Sequence, residues 1–132
     1  MGIKVFVYGT LRLGDVRGGV DSFEEMLAPE AYIEGFDMLD LGGFPGLVPG
    51  DNRIRGEVHE YKHLHTLDMI EGYQEKDPKS SFYIRRKVNV ETPEGVTKGC
   101  WVYCLNRIPT RPKLPIIESG DWFEHRGYYD GV

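Results

Sequence analysis

Two short stretches of this chain carry residue types suited to acyl and acid–base chemistry. The first is Tyr8-Gly9-Thr10-Leu11, which follows the apolar run Val5-Phe6-Val7. A strand that stops at a Gly turn releases backbone amides from its ladder. Such N–H groups hold a carboxylate or a developing oxyanion without any charged side chain. The second is Leu64-His65-Thr66-Leu67-Asp68-Met69-Ile70-Glu71-Gly72. At about 100° per residue, Leu64, Leu67 and Ile70 form one apolar stripe, and Gly72 supplies a stop. Glu71 projects from the same side as Leu64 and Leu67. A carboxylate is costly to bury without compensation, so Glu71 either swings to solvent at a frayed last turn or serves as an acid–base group. Asp68, on the edge of the stripe, reads as a structural or capping carboxylate.

The bulk properties exclude several classes. A chain of 132 residues is expected to form one domain (1–132) with a single core. At 40% hydrophobic and 28% charged it has an ordinary globular composition. The net charge of −5, with both signs interspersed, gives no footprint for nucleic acid or for an anionic membrane. No apolar run approaches a membrane span, and no charged-then-apolar leader opens the chain, so a soluble, cytoplasmic protein is expected. Cys100 and Cys104 share one face of a strand about 13 Å apart, too far for a mutual disulfide, and read as buried thiols in a reducing compartment. His59, His63 and His65 match no standard zinc spacing, so no metal is expected. Trp101 and Trp122 read as core residues.

The elements that must position these residues are mostly strands. Ile3 to Tyr8 has the continuous apolar character of a central strand. Gly14 to Gly19 reads as loop. Ser22-Phe23-Glu24-Glu25 matches a capping box and predicts a helix to Leu27, ending before Pro29. Tyr32 to Leu41 reads as a strand with an irregularity at Gly35. Gly42 to Gly50 is too rich in Gly and Pro for regular structure. A loop this apolar either packs back on the body or lines a pocket, and its Phe44 and Leu47 lead to the expectation that Gly42 to Pro49 border the cavity. Ile54 to Tyr61 alternates as a strand. Tyr73 to Ser81 reads as an exposed excursion. Phe82 to Glu91 and Val96 to Leu105 form a hairpin around Thr92-Pro93-Glu94-Gly95. Pro109, Pro112 and Pro115 then precede a compact Ser119–Trp122 segment. Sequential hairpin-linked strands favour a curved sheet or small barrel over a doubly wound fold, and neither a GxGxxG motif nor a P-loop is present.

In combination these pieces resemble the γ-glutamylcyclotransferase-like (AIG2-like) family. The match runs, in the family's order, through Tyr8-Gly9-Thr10-Leu11, Gly56-Glu57-Val58, Leu67-Asp68-x-x-Glu71-Gly72, Tyr83-x-Arg85-x-x-Val88-x-Val90 and Val102-Tyr103. The resemblance implies an α+β, mostly β fold: a small mixed, mainly antiparallel β-barrel with short flanking helices. It also implies cyclisation of a small-molecule γ-glutamyl substrate, in which the free α-amine attacks the γ-amide carbonyl. The products are 5-oxoproline and the γ-linked amine, and no cofactor takes part.

By that resemblance Glu71 is the general acid/base. An α-ammonium, with an ordinary pKa of about 8, must lose a proton before it can attack, and a carboxylate beside it can take that proton and return it to the leaving amine. Partial desolvation on the apolar side of a helix is expected to raise the basicity of Glu71. The amides of Gly9, Thr10 and Leu11 are expected to hold the substrate's carboxylate or carbonyl. Tyr8 and Tyr103 would offer hydroxyls to the pocket, or else be buried barrel tyrosines. Arg85 would pair with a substrate carboxylate, or else with a cross-strand neighbour. The gap between Gly72 and Tyr83 is longer than in many relatives and bears on the substrate more than on the chemistry. The alternative is a catalytically idle relative that binds a small carboxylate metabolite or acts as an interaction module.

Overall fold

The computed structural model describes residues 2–12, 20, 22–107 and 114–129. Five strands close into a ring: β1 (Ile3–Val7), β2 (Phe23–Asp40), β3 (Pro45–Tyr61), β4 (Tyr83–Thr92) and β5 (Gly95–Leu105), in the order β1-β3-β2-β4-β5. Neighbouring strands are antiparallel, except that β5 returns parallel to β1 through Val5 and Trp101. Two short helices flank the ring, α1 (His65–Glu71) and α2 (Trp122–His125). This is the mixed, mainly antiparallel architecture that the sequence implies.

β1 is apolar from Val5 to Val7, where both of its faces are covered. Phe6 joins a cluster with Ile33, Ile54, Val102 and Trp122, whereas Val5 and Val7 join a second cluster with Leu64 and Leu67 of α1. The apolar stripe of α1 thus holds that helix beside the end of β1. Gly56 of β3 allows a close approach, since a Cβ there would collide with the Val7 carbonyl. The predicted hairpin is present, with β4 and β5 paired from Tyr83↔Leu105 to Thr92↔Gly95. Cys100 and Cys104 are both buried and unbridged.

Two expectations are corrected. Ser22 to Leu27 does not form a helix: Phe23 begins β2, and Phe23, Met26 and Ala28 pair with Tyr61, His59 and Val58 of β3. A single helical turn is costly to nucleate on its own, and pairing along β3 supplies the backbone hydrogen bonds instead. Pro29, which suggested a helix stop, lies in the register shift between Ala28 and Ala31, where a strand tolerates proline. Gly42 to Gly50 is not a loop throughout, because β3 starts at Pro45 and pairs Leu47 with Met38 and Val48 with Asp37. β1 pairs only with the Glu57–Tyr61 end of β3, so the prolines at 45 and 49 take nothing from a ladder on that side. Gly35 does fall at an irregularity, with φ 91° and a register shift between Glu34 and Phe36. The loop at Gly14 to Gly19, and Pro109 and Pro112, lie outside the described residues.

Candidate active site

α1 ends where its sequence says it should. Gly72 takes a left-handed φ of 67°, and the amides of Gly72 and Tyr73 fold back onto the carbonyls of Met69 (3.3 Å) and Asp68 (2.8 Å). The last turn is therefore capped rather than frayed, and Glu71 is held half-buried on the wall of a cavity of about 350 Å³. Tyr8, the Gly9–Leu11 turn and Gly43 to Pro45 line the same cavity. Met69, Phe82, Tyr83 and Tyr103 are among the other residues that line it.

The turn after β1 is closed by the Arg12 amide, which donates to the Gly9 carbonyl at 3.0 Å. Gly9 packs so tightly on Pro45 that a Cβ would stand 2.6 Å from Pro45 Cγ. Pro45 is fixed in turn, because Tyr83 Oη donates to its carbonyl at 2.7 Å. Behind the turn, the Arg12 side chain is 2% exposed. Its Nε donates to Glu57 Oε2 (3.0 Å), Nη1 to Asp121 Oδ1 (3.2 Å) and Nη2 to Tyr129 Oη (3.0 Å). The guanidinium also lies 3.7 Å from the centroid of the Phe123 ring. Burial alone would lower the Arg12 pKa; the bonds with Tyr129 and Glu57 and the Glu57 charge more than reverse this, so the cation persists. Asp121 also caps α2 by accepting from the amides of Phe123 and Glu124, and His59 Nε2 lies 2.8 Å from Glu57 Oε1. One buried ionic hub thus joins the end of β1, β3 and α2.

A second set of bonds places the helix. Asp68 accepts from Tyr103 Oη at 2.6 Å and from Arg85 Nε and Nη2 at 3.0 and 3.3 Å. Arg85 also donates to Glu75 at 2.8 Å. Asp68 therefore ties α1 to β4 and β5. Tyr8 Oη donates to the Tyr103 carbonyl at 2.6 Å, which joins β1 to β5. The ionisation of Tyr8 is pushed well up, first by burial, then by Tyr83, Cys104 and Glu71. That of Tyr103 is raised by burial and by its bond to Asp68. Both remain neutral phenols that donate hydrogen bonds. Among the described residues lining the cavity, the only carboxylate is that of Glu71, and no Lys or Arg joins it.

The sequence profile of the gamma-glutamyl cyclotransferase, AIG2-like family matches residues 5–124. The chain belongs to that family. It is 30% identical over 122 residues to the gamma-glutamylcyclotransferase family protein YtfP of Escherichia coli K12, a match covering 92% of this chain and 97% of that protein. It is 31% identical over 129 residues to the gamma-L-glutamyl-butirosin B gamma-glutamyl cyclotransferase of Niallia circulans, covering 93% of this chain and 77% of that one. Among solved structures, YkqA of Bacillus subtilis superposes with a TM-score of 0.74 at 28% identity over 100% of this chain, which spans 44% of YkqA.

Of the site residues read from the sequence of this γ-glutamylcyclotransferase-family chain, Tyr8, Gly9, Thr10, Leu11, Glu71 and Tyr103 meet at one cavity. Arg85 stands apart from them: it is not among the lining residues, and its guanidinium is held by Asp68 and Glu75. Of the Gly42 to Pro49 segment expected to border the cavity, Gly43, Phe44 and Pro45 do so, whereas Leu47 is fully buried in the core and does not line it. His59 is fully buried against Glu57 and Tyr61, while His63 and His65 are exposed. The hub of Arg12, Glu57 and Asp121 was not read as part of the site. Its signal lay in Arg12 following the turn directly and in Asp121 preceding Trp122-Phe123-Glu124 as a helix cap.

Proposed function

We propose that residues 1–132 act as one γ-glutamylcyclotransferase domain that converts a small γ-glutamyl amide to 5-oxoproline and the released amine, with Glu71 as general acid/base. The observation that carries this reading is that Glu71 and the Gly9–Leu11 turn line one cavity of about 350 Å³. That volume is at the lower end of the range for small-molecule sites, about 300–1,000 Å³. The substrate's α-carboxylate or γ-carbonyl would rest on the amides of Gly9, Thr10 and Leu11, which suit an anion in a cavity with no lining Lys or Arg among the described residues. Its ammonium would face Glu71.

The carboxylate takes a proton from the ammonium. The freed amine then forms a C–N bond with the γ-carbonyl carbon, and the negative charge moves onto the carbonyl oxygen. As the tetrahedral centre collapses, the original amide C–N bond breaks and Glu71 returns the proton to the departing nitrogen; the second proton of the new ring nitrogen then passes to the released amine, which leaves as an ammonium. Because the reaction is intramolecular, holding the substrate folded back supplies much of the rate. Tyr8 and Tyr103, as neutral phenols, are donors rather than competing bases. Arg85 acts at one remove, by fixing Asp68 and with it α1.

The test is Glu71→Gln, which keeps shape and volume but cannot accept the ammonium proton. Formation of 5-oxoproline from a panel of γ-glutamyl compounds is expected to fall by roughly 10² to 10⁴, while 5-oxoproline still binds. Turnover at the parental rate would reject the mechanism, and a parent protein with no turnover would favour the idle, carboxylate-binding alternative.

A further inference from the structure

The mouth of the cavity is more apolar than its chemistry requires. Phe44, Met69 and Phe82 are 38%, 70% and 52% exposed, and all three line the same cavity as Glu71. Exposed large apolar side chains that cluster beside a concave site mark a binding surface more often than an accident of packing. These three come from separate elements: the β2–β3 connection, α1 and the start of β4.

Their positions are fixed. The Phe44 carbonyl accepts from the Leu41 amide at 3.0 Å, and Asp40 Oδ1 accepts from the Gly42 amide at 2.8 Å, which holds the connection between β2 and β3. The Phe82 amide donates to the Gly72 carbonyl at 3.1 Å, and its own carbonyl accepts from the Asn106 amide at 3.0 Å. The two rings meet edge to face with centroids 6.3 Å apart, and Phe82 meets Tyr83 in the same way at 4.9 Å. Aromatic surface preorganised on clamped backbone loses little conformational freedom when it is covered. Among the described lining residues, a charged group placed here would face no side chain of opposite sign except Glu71, which the reaction already uses.

Resting on the cyclotransferase reading, we propose that Phe44, Met69 and Phe82 form the subsite for the γ-linked leaving group and that this group is an apolar amine. The rim is continuous with the reaction cavity, so the substituent on the γ-nitrogen is the part of the substrate that must extend over it. Burying it there covers aromatic and thioether surface that water now meets.

The experiment uses four L-γ-glutamyl amides, those of benzylamine, 3-methylbutylamine and ethanolamine and the ε-linked lysine. Binding is measured calorimetrically on Glu71→Gln protein, and 5-oxoproline formation is measured on the parent. The benzyl and 3-methylbutyl amides are expected to exceed the ethanolamide and the lysine derivative at least about tenfold in both measurements. In a Phe44→Ser/Phe82→Ser background that ratio should shrink to within about twofold, and Met69→Ser alone should narrow it partway. All three positions face solvent, and unchanged melting temperatures would certify the folds.

Equal or better performance of the hydrophilic amides, a preference that survives loss of the rings, or no binding of the apolar amides would each overturn the subsite. So would sedimentation as an oligomer that Phe82→Ser splits, since a second copy would then cover the rim. Selective binding of apolar amides without any 5-oxoproline would sink the cyclotransferase reading and leave the subsite standing. Turnover without preference would do the reverse.

Discussion

Arg12→Met removes the cation from the buried hub and leaves its two carboxylates in place. The guanidinium makes three hydrogen bonds, to Glu57, Asp121 and Tyr129, and stacks on Phe123. Glu57 and Asp121 are only 5% and 6% exposed, so neither can turn to bulk water for compensation. Removing one partner of a buried ion pair costs about 3–5 kcal/mol, because the other charge stays buried. The lower half of that range is expected. Asp121 keeps the amides of Phe123 and Glu124, Glu57 keeps His59, and methionine refills much of the aliphatic volume. Against a typical total of about 5–15 kcal/mol, the variant stays folded at room temperature but melts roughly 10–20 °C lower. Urea denaturation should show a lower midpoint with an unchanged slope. Adding Glu57→Gln should restore part of the loss, since it removes the charge that Arg12 had balanced. A cost below about 1 kcal/mol would mean that the hub behaves as a solvated surface pair, and the argument that it anchors the turn would fail.

Gly9→Ala should damage function more than folding: the added methyl meets Pro45, which must give way, and the turn shifts relative to Glu71. A fall in kcat/KM of about 10–100-fold with a stability loss of about 1–3 kcal/mol is expected from paired kinetic and melting measurements, and parental kinetics would refute the close packing. Alkaline pH should destabilise the protein. Burial lifts the Cys104 thiol from 9.0 to about 12 and raises Tyr8, Tyr61 and Tyr103 above their ordinary 10.0. With folded values raised, this stability is fully present below pH 9 and is lost as the unfolded chain ionises through and beyond pH 10. Urea midpoints should fall across that window, and the share of tyrosinate absorbance owed to Tyr8, Tyr61 and Tyr103 should appear with unfolding rather than before it; a level midpoint would count against the burial of these groups.

The cavity-lining parts of the site could be read from sequence where they rest on local periodicity. The helical phase of Leu64 and Leu67 puts Glu71 on the apolar side of α1 but left a swing to solvent open until the family resemblance singled it out, and the turn follows from an apolar run that ends at Gly9. The β4–β5 hairpin was legible because Thr92 to Gly95 has turn chemistry between alternating strands. Features set by tertiary pairing were not. The Ser22 capping box is a local preference, overridden by the ladder to β3, and the prolines at 45 and 49 are tolerated only because that stretch of β3 lacks β1 as a neighbour. Arg85 matched a family motif, yet its engagement with Asp68 depends on where α1 lands, which no spacing within β4 reveals.

The parallel pairing of β1 with β5 bears on the order in which the protein assembles. The hairpins β2–β3 and β4–β5 form from neighbouring sequence, but the Tyr8–Tyr103 bond joins residues 95 positions apart and the Arg12–Asp121 bond residues 109 apart. Doubling a loop adds only about 0.6 kcal/mol of closure entropy, so this seam weighs little on equilibrium stability. It weighs more on rate, because distant contacts must be found by search. At roughly 5–20 residues per second, a ribosome takes about 5–20 s to make the chain between the turn after β1 and the strand that secures it. Through that interval β1 waits without its parallel partner, and Glu71 has no fixed surface to face. Substitutions in the seam should therefore delay the appearance of activity in a newly made chain before they lower the yield of folded protein.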